Sequence, residues 1–256
     1  MVAYTPNYTD QARAVLPLAI EVARGRNDDF SLFTLQMYNG AVINAVETLW
    51  PESTRYSAWL TTLTTMTISS SSASDAAAGT GARTVTITGL DSNFNQVSST
   101  VTLNGTTAVT IPVQFLRVNF IKVVTAGTGL TNAGILYVGT GTITAGKPAV
   151  VHALVEAGVS VSRSGIYTVP LNNVLHLSRM NMGTHTTAGR VAVRTRPPGS
   201  SVFTSICEFH VMTPTTLDLS DLDVVTAGTD VEVTCFSTTA TARDFSGYLS
   251  GFLRKE

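Results

Sequence analysis

The chain has 256 residues, with 16 Lys plus Arg against 17 Asp plus Glu and a formal net charge of −1. That balance excludes a basic nucleic-acid-binding surface and an acidic tail, and a hydrophobic content of 44% excludes a disordered chain. Only 13% of residues are charged, about half the roughly 25% of an ordinary domain; 40 Thr, 22 Ser and 29 Val fill the deficit, against three lysines. Thr and Val favour strands, because a β-branched side chain packs well on a pleated surface and crowds a helical turn.

At the N-terminus no basic region precedes the first apolar stretch, and Pro17 and Glu21 interrupt it, so no secretory signal is expected. No run reaches the length needed to span a membrane. The chain is expected to fold in a cytosol, where the Asn7 and Asn104 sequons would carry no glycan. Residues 10–24 have a helical pattern, but Pro17 would remove a backbone hydrogen bond from its middle, so residues 1–50 are expected to form an extended arm. Within it 30–38 (FSLFTLQMY) alternates as a strand and ends in the turn pair Asn39-Gly40. Such an arm lacks a local partner, and its Phe30, Leu32 and Phe33 are candidate contacts to a neighbouring subunit.

From Trp59 onward strand and turn signals alternate at short spacing, the pattern of a sandwich or barrel. Residues 83–88 (RTVTIT) and 97–103 (VSSTVTL) put aliphatic side chains on one face and hydroxyls on the other. Asn104-Gly105 then predicts a hairpin into 106–111, and strands at 115–124 and 134–138 complete a first block, residues 51–145. A second block, 146–256, has strands at 150–155, 165–169, 174–180, 190–196, 207–212, 231–236 and 246–253. Gly247 and Gly251 in the last of these point to close backbone approach or bulges. The expected fold is all-β: two antiparallel β-sandwich domains of jelly-roll type in tandem, behind the extended arm. VVTAGT occurs at 123–128 and again at 224–229, each copy read as leading into a strand, which leaves open a duplication or two uses of one local solution. The Ser/Ala/Gly stretch 69–81 has no large side chain to anchor it and reads as a flexible or edge-lying connection, with Asp75 a solvated turn residue.

Chemistry is sparse. There is no phosphate loop, no HExxH and no GxSxG elbow. His152, His176, His185 and His210 are dispersed and read as satisfied or surface histidines; Cys207 and Cys235 read as inert buried thiols. Asp218, Asp221, Asp223 and Asp230 could offer oxygens to calcium, but alternation with Leu217, Leu219 and Leu222 more simply puts leucines inward and aspartates in water. A glycosidase carboxylate pair need not be adjacent, yet Trp50 and Trp59 are the only tryptophans, a thin supply for stacking sugars. Arg190, Arg194 and Arg196 alternate along one strand (RVAVRTR), ahead of Pro197-Pro198-Gly199. They form either a solvated outer face or a cationic stripe for an acidic patch on a protein partner. No metal or cofactor is expected.

The segment 73–109 (ASDAAAGTGARTVTITGLDSNFNQVSSTVTLNGTTAV) resembles a family of β-sandwich virion structural proteins of tailed phages, common among marine and cyanobacterial phages. The GTGARTVTI run, the GLD turn at 89–91, VTLNGTTAV, FLRVN at 115–119 and NAGILYV carry the likeness. IEVARG at 20–25, ETLW at 47–50, GIYTVP at 165–170 and VAVRTRPPG at 191–199 extend it over most of the chain. ARGRNDDF at 23–30 departs from the more apolar stretch of the family. The resemblance implies a non-enzymatic virion component, and the expectation drawn from it is a capsid decoration or cement protein on the outer head surface. It would be assembled in the host bacterial cytoplasm as a homo-oligomer, with the major capsid protein or other virion proteins as partners and no nucleic acid or membrane. The alternatives are a tail, collar or head-fibre component and a carbohydrate-binding module for host attachment.

Overall fold

Residues 18–25, 27–52, 54–184, 188–212, 214–222 and 224–256 are described by a computed structural model; residues 1–17 of the expected arm, His185 and Asp223 lie outside the described residues. In chain order the elements are α1 (Leu18–Ala23), β1 (Phe30–Val42), β2 (Glu47–Thr48), β3 (Thr67–Ser70), β4 (Ala82–Leu90), β5 (Gln96–Thr102), β6 (Val109–Thr110), β7 (Arg117–Ala126), β8 (Leu136–Thr144), β9 (Lys147–Val155), β10 (Ile166–Thr168), β11 (Asn173–Thr184), β12 (Gly189–Arg196), β13 (Thr204–Val211), β14 (Thr215–Asp218), β15 (Asp230–Ser237) and β16 (Arg243–Lys255). The expected all-β class holds. The strands form four small sheets of antiparallel pairs, ordered β1-β16-β11-β14, β10-β15-β12-β13 with β2 beside β15, β6-β3-β8-β9, and β5-β4-β7.

Two apolar cores divide these sheets between two bodies. The first draws on the β6-β3-β8-β9 and β5-β4-β7 sheets, with Ile68, Ile87, Phe115, Ile121 and Leu136 fully buried. The second draws on the other two sheets and centres on Met37, Leu49, Val193, Val233, Phe245 and Leu249. A smaller aromatic cluster of Trp50, Tyr56, Tyr137 and Ile166 joins them. Alternation along each strand explains the division: β4 buries Val85 and Ile87 inward and leaves Thr84, Thr86 and Thr88 on the other face.

Five expectations are corrected. Residues 30–42 are no free arm: β1 pairs with β16 from Phe30 opposite Arg254 to Val42 opposite Arg243, and Phe33, Leu35 and Met37 fill the second core. Ahead of it Leu18–Ala23 form α1 rather than extended chain, closing on Gly25 at φ +64, the left-handed position that ends many helices. The boundary at 145/146 falls inside a β8–β9 hairpin whose turn residues, Ala145 and Gly146, both have positive φ, so β9 belongs to the first body. The Asn104-Gly105 turn closes one antiparallel bridge, Asn104 to Thr107, and no strand hairpin. Its backbone also bonds to Asp75 and Ser70, and β6 pairs with β3 rather than β5.

The Ser/Ala/Gly stretch is also tightly held. Asp75 is fully buried, accepting hydrogen bonds from Ser70 Oγ at 2.6 Å and from the Ala82, Ala133 and Gly134 amides at 2.7, 2.8 and 2.8 Å. One carboxylate therefore does the anchoring that large side chains would otherwise do. The two VVTAGT copies adopt different structures: the first ends β7, whereas the second is an irregular turn running into β15. Gly247 and Gly251 are inward positions where a Cβ would collide with the Asn181 and His176 carbonyl oxygens, as the close-approach reading expects.

Candidate functional site

The richest cluster of chemistry lies where the two bodies meet. The chain between β2 and β3 is laid along this junction because Thr48 pairs with Thr234 and the Leu49 backbone bonds to Val233 and Gly165. It carries a relay of rings, Trp50, Tyr56 and Trp59, with Phe203 beyond; successive centroids are 5.1, 4.9 and 5.3 Å apart. The Tyr56 hydroxyl donates to the Ala58 and His152 carbonyls, and burial pushes its phenol pKa up.

Asp230, first residue of β15, is the hub. Arg117, opening β7 in the first body, holds it bidentately through Nε at 2.8 Å and Nη2 at 3.0 Å. Arg196, closing β12, donates from Nε at 3.0 Å and Nη2 at 2.6 Å, and the Thr168 hydroxyl adds a bond of 2.6 Å. The Asp230 side chain is 4% exposed. Pairing of β12 with β15 sets Arg196 directly opposite Asp230 and Arg194 opposite Glu232, so two charge pairs sit on one face of the sheet. Glu232 is fully buried: Thr48 donates to Oε1 at 2.7 Å, while Arg55 and Arg194 stand 3.6 and 3.8 Å from Oε2. The Arg117 and Arg196 guanidinium carbons lie 5.3 and 4.7 Å from the Trp59 ring centre, and Arg196 is as close to Phe203. Beside them opens a groove of about 370 Å³ whose lining includes Arg117, Arg196 and Asp230.

The expected cationic stripe is thus engaged locally. Arg190 bonds Glu208 at 2.9 Å and covers Phe236, Arg194 donates to the Phe203 carbonyl, and Arg196 is locked on Asp230. Among the arm residues Leu32 is 53% exposed, Phe30 packs edge-on against Phe252, and Phe33 is buried on Tyr167 in the chain's own core, which removes it as a contact to a neighbour. Asp218 faces water and bonds Ser220, but Asp230, grouped with it in the sequence, does not face water. Among the described residues no three His, Cys, Asp or Glu side chains converge as metal ligands. His152 is buried, donates from Nδ1 to the Ala58 carbonyl and pairs through Nε2 with the Thr140 hydroxyl, each at 3.2 Å; burial lowers its pKa. Cys235 is buried and Cys207 half-buried, and burial raises both thiols.

The sequence reading missed the junction. The signal was complementarity between two strands: Arg194-Thr195-Arg196 answers Asp230-Val231-Glu232 when run antiparallel, which is visible only once the two are recognised as neighbours.

No protein-family description matches the chain, and neither does any curated protein. Among solved structures it is similar to infectious bursal virus derived T=1 particles, at 10% identity over 90% of this chain and 66% of that one, with a TM-score of 0.27. It is also similar to the structure of infectious bursal disease virus Gt strain, at 8% identity over 96% and 78% of the two chains, with a TM-score of 0.22. The chain spans just under two thirds of the first neighbour. Similarity at these scores defines no family and carries no functional argument.

Proposed function

We propose that the chain is a non-enzymatic structural component of a tailed-phage virion, a decoration or cement protein that binds the outer head surface as a homo-oligomer. In this reading the two bodies are two sandwiches, and the function is to tie neighbouring capsid subunits together. The observation that carries it is the outer face of the β5-β4-β7 sheet. Its cross-strand rows run Thr102-Thr84-Thr125, Thr100-Thr86-Lys122 and Ser98-Thr88-Phe120. Thr84 bonds Thr125 at 2.6 Å and Thr86 bonds Thr100 at 2.7 Å, so the hydroxyls are already ordered, and Lys122 is the one charge in these rows. Such a face loses little side-chain entropy and meets little repulsion when it lies on a flat neighbour. A stable contact of this kind would bury about 1,200–2,000 Å², and repetition over a lattice would multiply modest affinities. The motif resemblance supports the same class.

Quantitative mass spectrometry of purified particles tests it. Hundreds of copies per particle support decoration; tens or fewer move the protein to the tail, collar or a head fibre, and absence ends the virion reading. Replacing Thr86 and Thr100 together with Lys should abolish particle binding with the circular dichroism unchanged; full occupancy by that variant would refute the role of this face.

One observation favours a second reading, carbohydrate binding for host attachment. On the outer face of the β1-β16-β11 sheet Tyr248 is 38% exposed between Gln36 and Asn181, an aromatic plane flanked by two amides. A glycan array with no hits removes this reading, whereas hits lost in Tyr248→Ala would favour it over the first.

A further inference from the structure

The groove at the junction has a charge imbalance that the internal ion pairs do not resolve. Among the described residues its lining sets Arg117 and Arg196 against Asp230 alone, a formal surplus of one positive charge in a chain whose net charge is −1. Within it the two groove arginines differ. Arg117 spends Nε and Nη2 on Asp230 and Nη1 on the Leu60 and Leu116 carbonyls. Arg196 uses only Nε and Nη2, so among the described residues its Nη1 has no hydrogen-bond acceptor, and it is not one of the enclosed atoms lacking a partner. A guanidinium fixed on one edge by a carboxylate and held against two rings presents its remaining edge already oriented, which is the arrangement that favours a planar oxyanion.

We propose that this groove is a receptor for a carboxylate side chain on an extended acidic segment of a partner protein, seated on Arg196 Nη1. It rests on the virion reading only for the source of that segment. The lining supports a peptide: Leu60, Phe94, Leu116 and Pro198 offer apolar contacts beside the charged residues, and Ser201 lines the groove with them. Phe94 is placed there in the left-handed backbone region at φ 62, in a turn secured by Asp91, which accepts from the Asn93 and Asn95 amides. Gly228 lies beneath it, where a Cβ would strike Pro198 and press on the Phe94 ring. An acidic sugar fits less well, since it would need a free aromatic face and the Trp59 indole is already covered by two guanidinium groups and Phe203.

The test titrates the full chain with hexaglutamate, a neutral Gly-Ser hexapeptide and an oligogalacturonate of equal charge. Tryptophan fluorescence and the Arg Nε–H resonances are followed. Hexaglutamate should give a saturable response centred on Arg196 that weakens as salt rises, with none from the neutral peptide. Arg196→Lys, which keeps charge but loses the planar fork, should weaken binding about tenfold or more. Because Arg196 also holds Asp230, Ser201→Asp serves as the second variant; it adds a competing carboxylate to the groove lining, leaves the ion pairs alone and should block binding in a normally folded protein. No saturable response, an equal response in Ser201→Asp, or tighter binding of the oligogalacturonate would overturn the proposal. Particle copy number is independent of these outcomes, so the site and the virion reading fail separately.

Discussion

Asp75 and His152 show how much a single side chain decides in a chain with few charges. Both oxygens of Asp75 are saturated by three amides and a hydroxyl drawn from segments nearly 60 residues apart in sequence, so the carboxylate organises the turns around it. In Asp75→Asn an NH₂ group must face one pair of those donors, losing charge-assisted bonds and leaving buried amides unpaired. The expected cost is about 3–5 kcal/mol, read from the urea midpoint at unchanged slope; a loss under about 1 kcal/mol would mean that the turns stand without it. His152 adds a pH dependence. The Ala58 carbonyl can only accept, so Nδ1 carries a proton; the Thr140 hydroxyl can then donate to Nε2 of the neutral ring, the form that burial favours. Its folded pKa lies below the unfolded value near 6.5, so the unfolded chain binds the proton more readily. The stability that the neutral ring contributes is present above about pH 6.5 and is lost as pH falls through that value toward the folded pKa. His152→Gln can keep both hydrogen bonds without titrating. Its unfolding free energy should therefore fall less steeply than the parent's between pH 7 and 5; parallel curves would contradict the assignment.

At the scale of elements, alternation was readable and partnership was not. β4, β5, β12 and β15 announce themselves by Val, Ile and Thr at period two, and the glycines of β16 announced a close approach. Gly251→Ala would push a methyl into the His176 carbonyl in the middle of a paired strand. It should cost about 1–3 kcal/mol as overpacking, while Gly158→Ala, where nothing lies within 4 Å, should cost only the strain of a residue held at φ +77. Thermal unfolding of the pair checks this ordering, and equal melting temperatures would contradict it. β2 and β3 escaped notice because two and four residues are too short to show a period. Asn104-Gly105 misled for a different reason. The pair does turn the chain, Gly105 at φ +60, but the direction after the turn is set by Asp75 and Ser70, some thirty residues upstream. A local signal can fix a turn, yet it does not fix which sheet the next strand joins.

At the scale of the molecule the question is whether the two bodies unfold as one. Contacts across the junction are polar and directional as well as apolar: Asn119 exchanges two hydrogen bonds with Thr168 at 2.8 and 3.0 Å, Leu171 donates to the Phe94 carbonyl at 2.7 Å, and Arg117 reaches across to Asp230. Two arginines from different bodies share that one carboxylate, so the coupling is concentrated at Asp230. Replacing it with Ala leaves both guanidinium groups buried without their counter-ion, a loss of about 3–5 kcal/mol. The loss falls on the junction rather than on either core, because Val231 and Val233, which fill the second core beside it, are untouched. The parent protein should therefore unfold in one transition, with tryptophan fluorescence, which reports Trp50 and Trp59 at the junction, coinciding with far-ultraviolet circular dichroism. In Asp230→Ala the fluorescence transition should move to lower denaturant and separate from the dichroism. Adding Arg117→Met to Asp230→Ala should recover part of the loss by removing one stranded charge, an interaction that a double-mutant cycle measures directly. Coincident transitions in Asp230→Ala would place the coupling in the Trp50–Tyr56–Ile166 cluster instead, and strictly additive losses would show that Arg117 and Asp230 contribute to the junction independently.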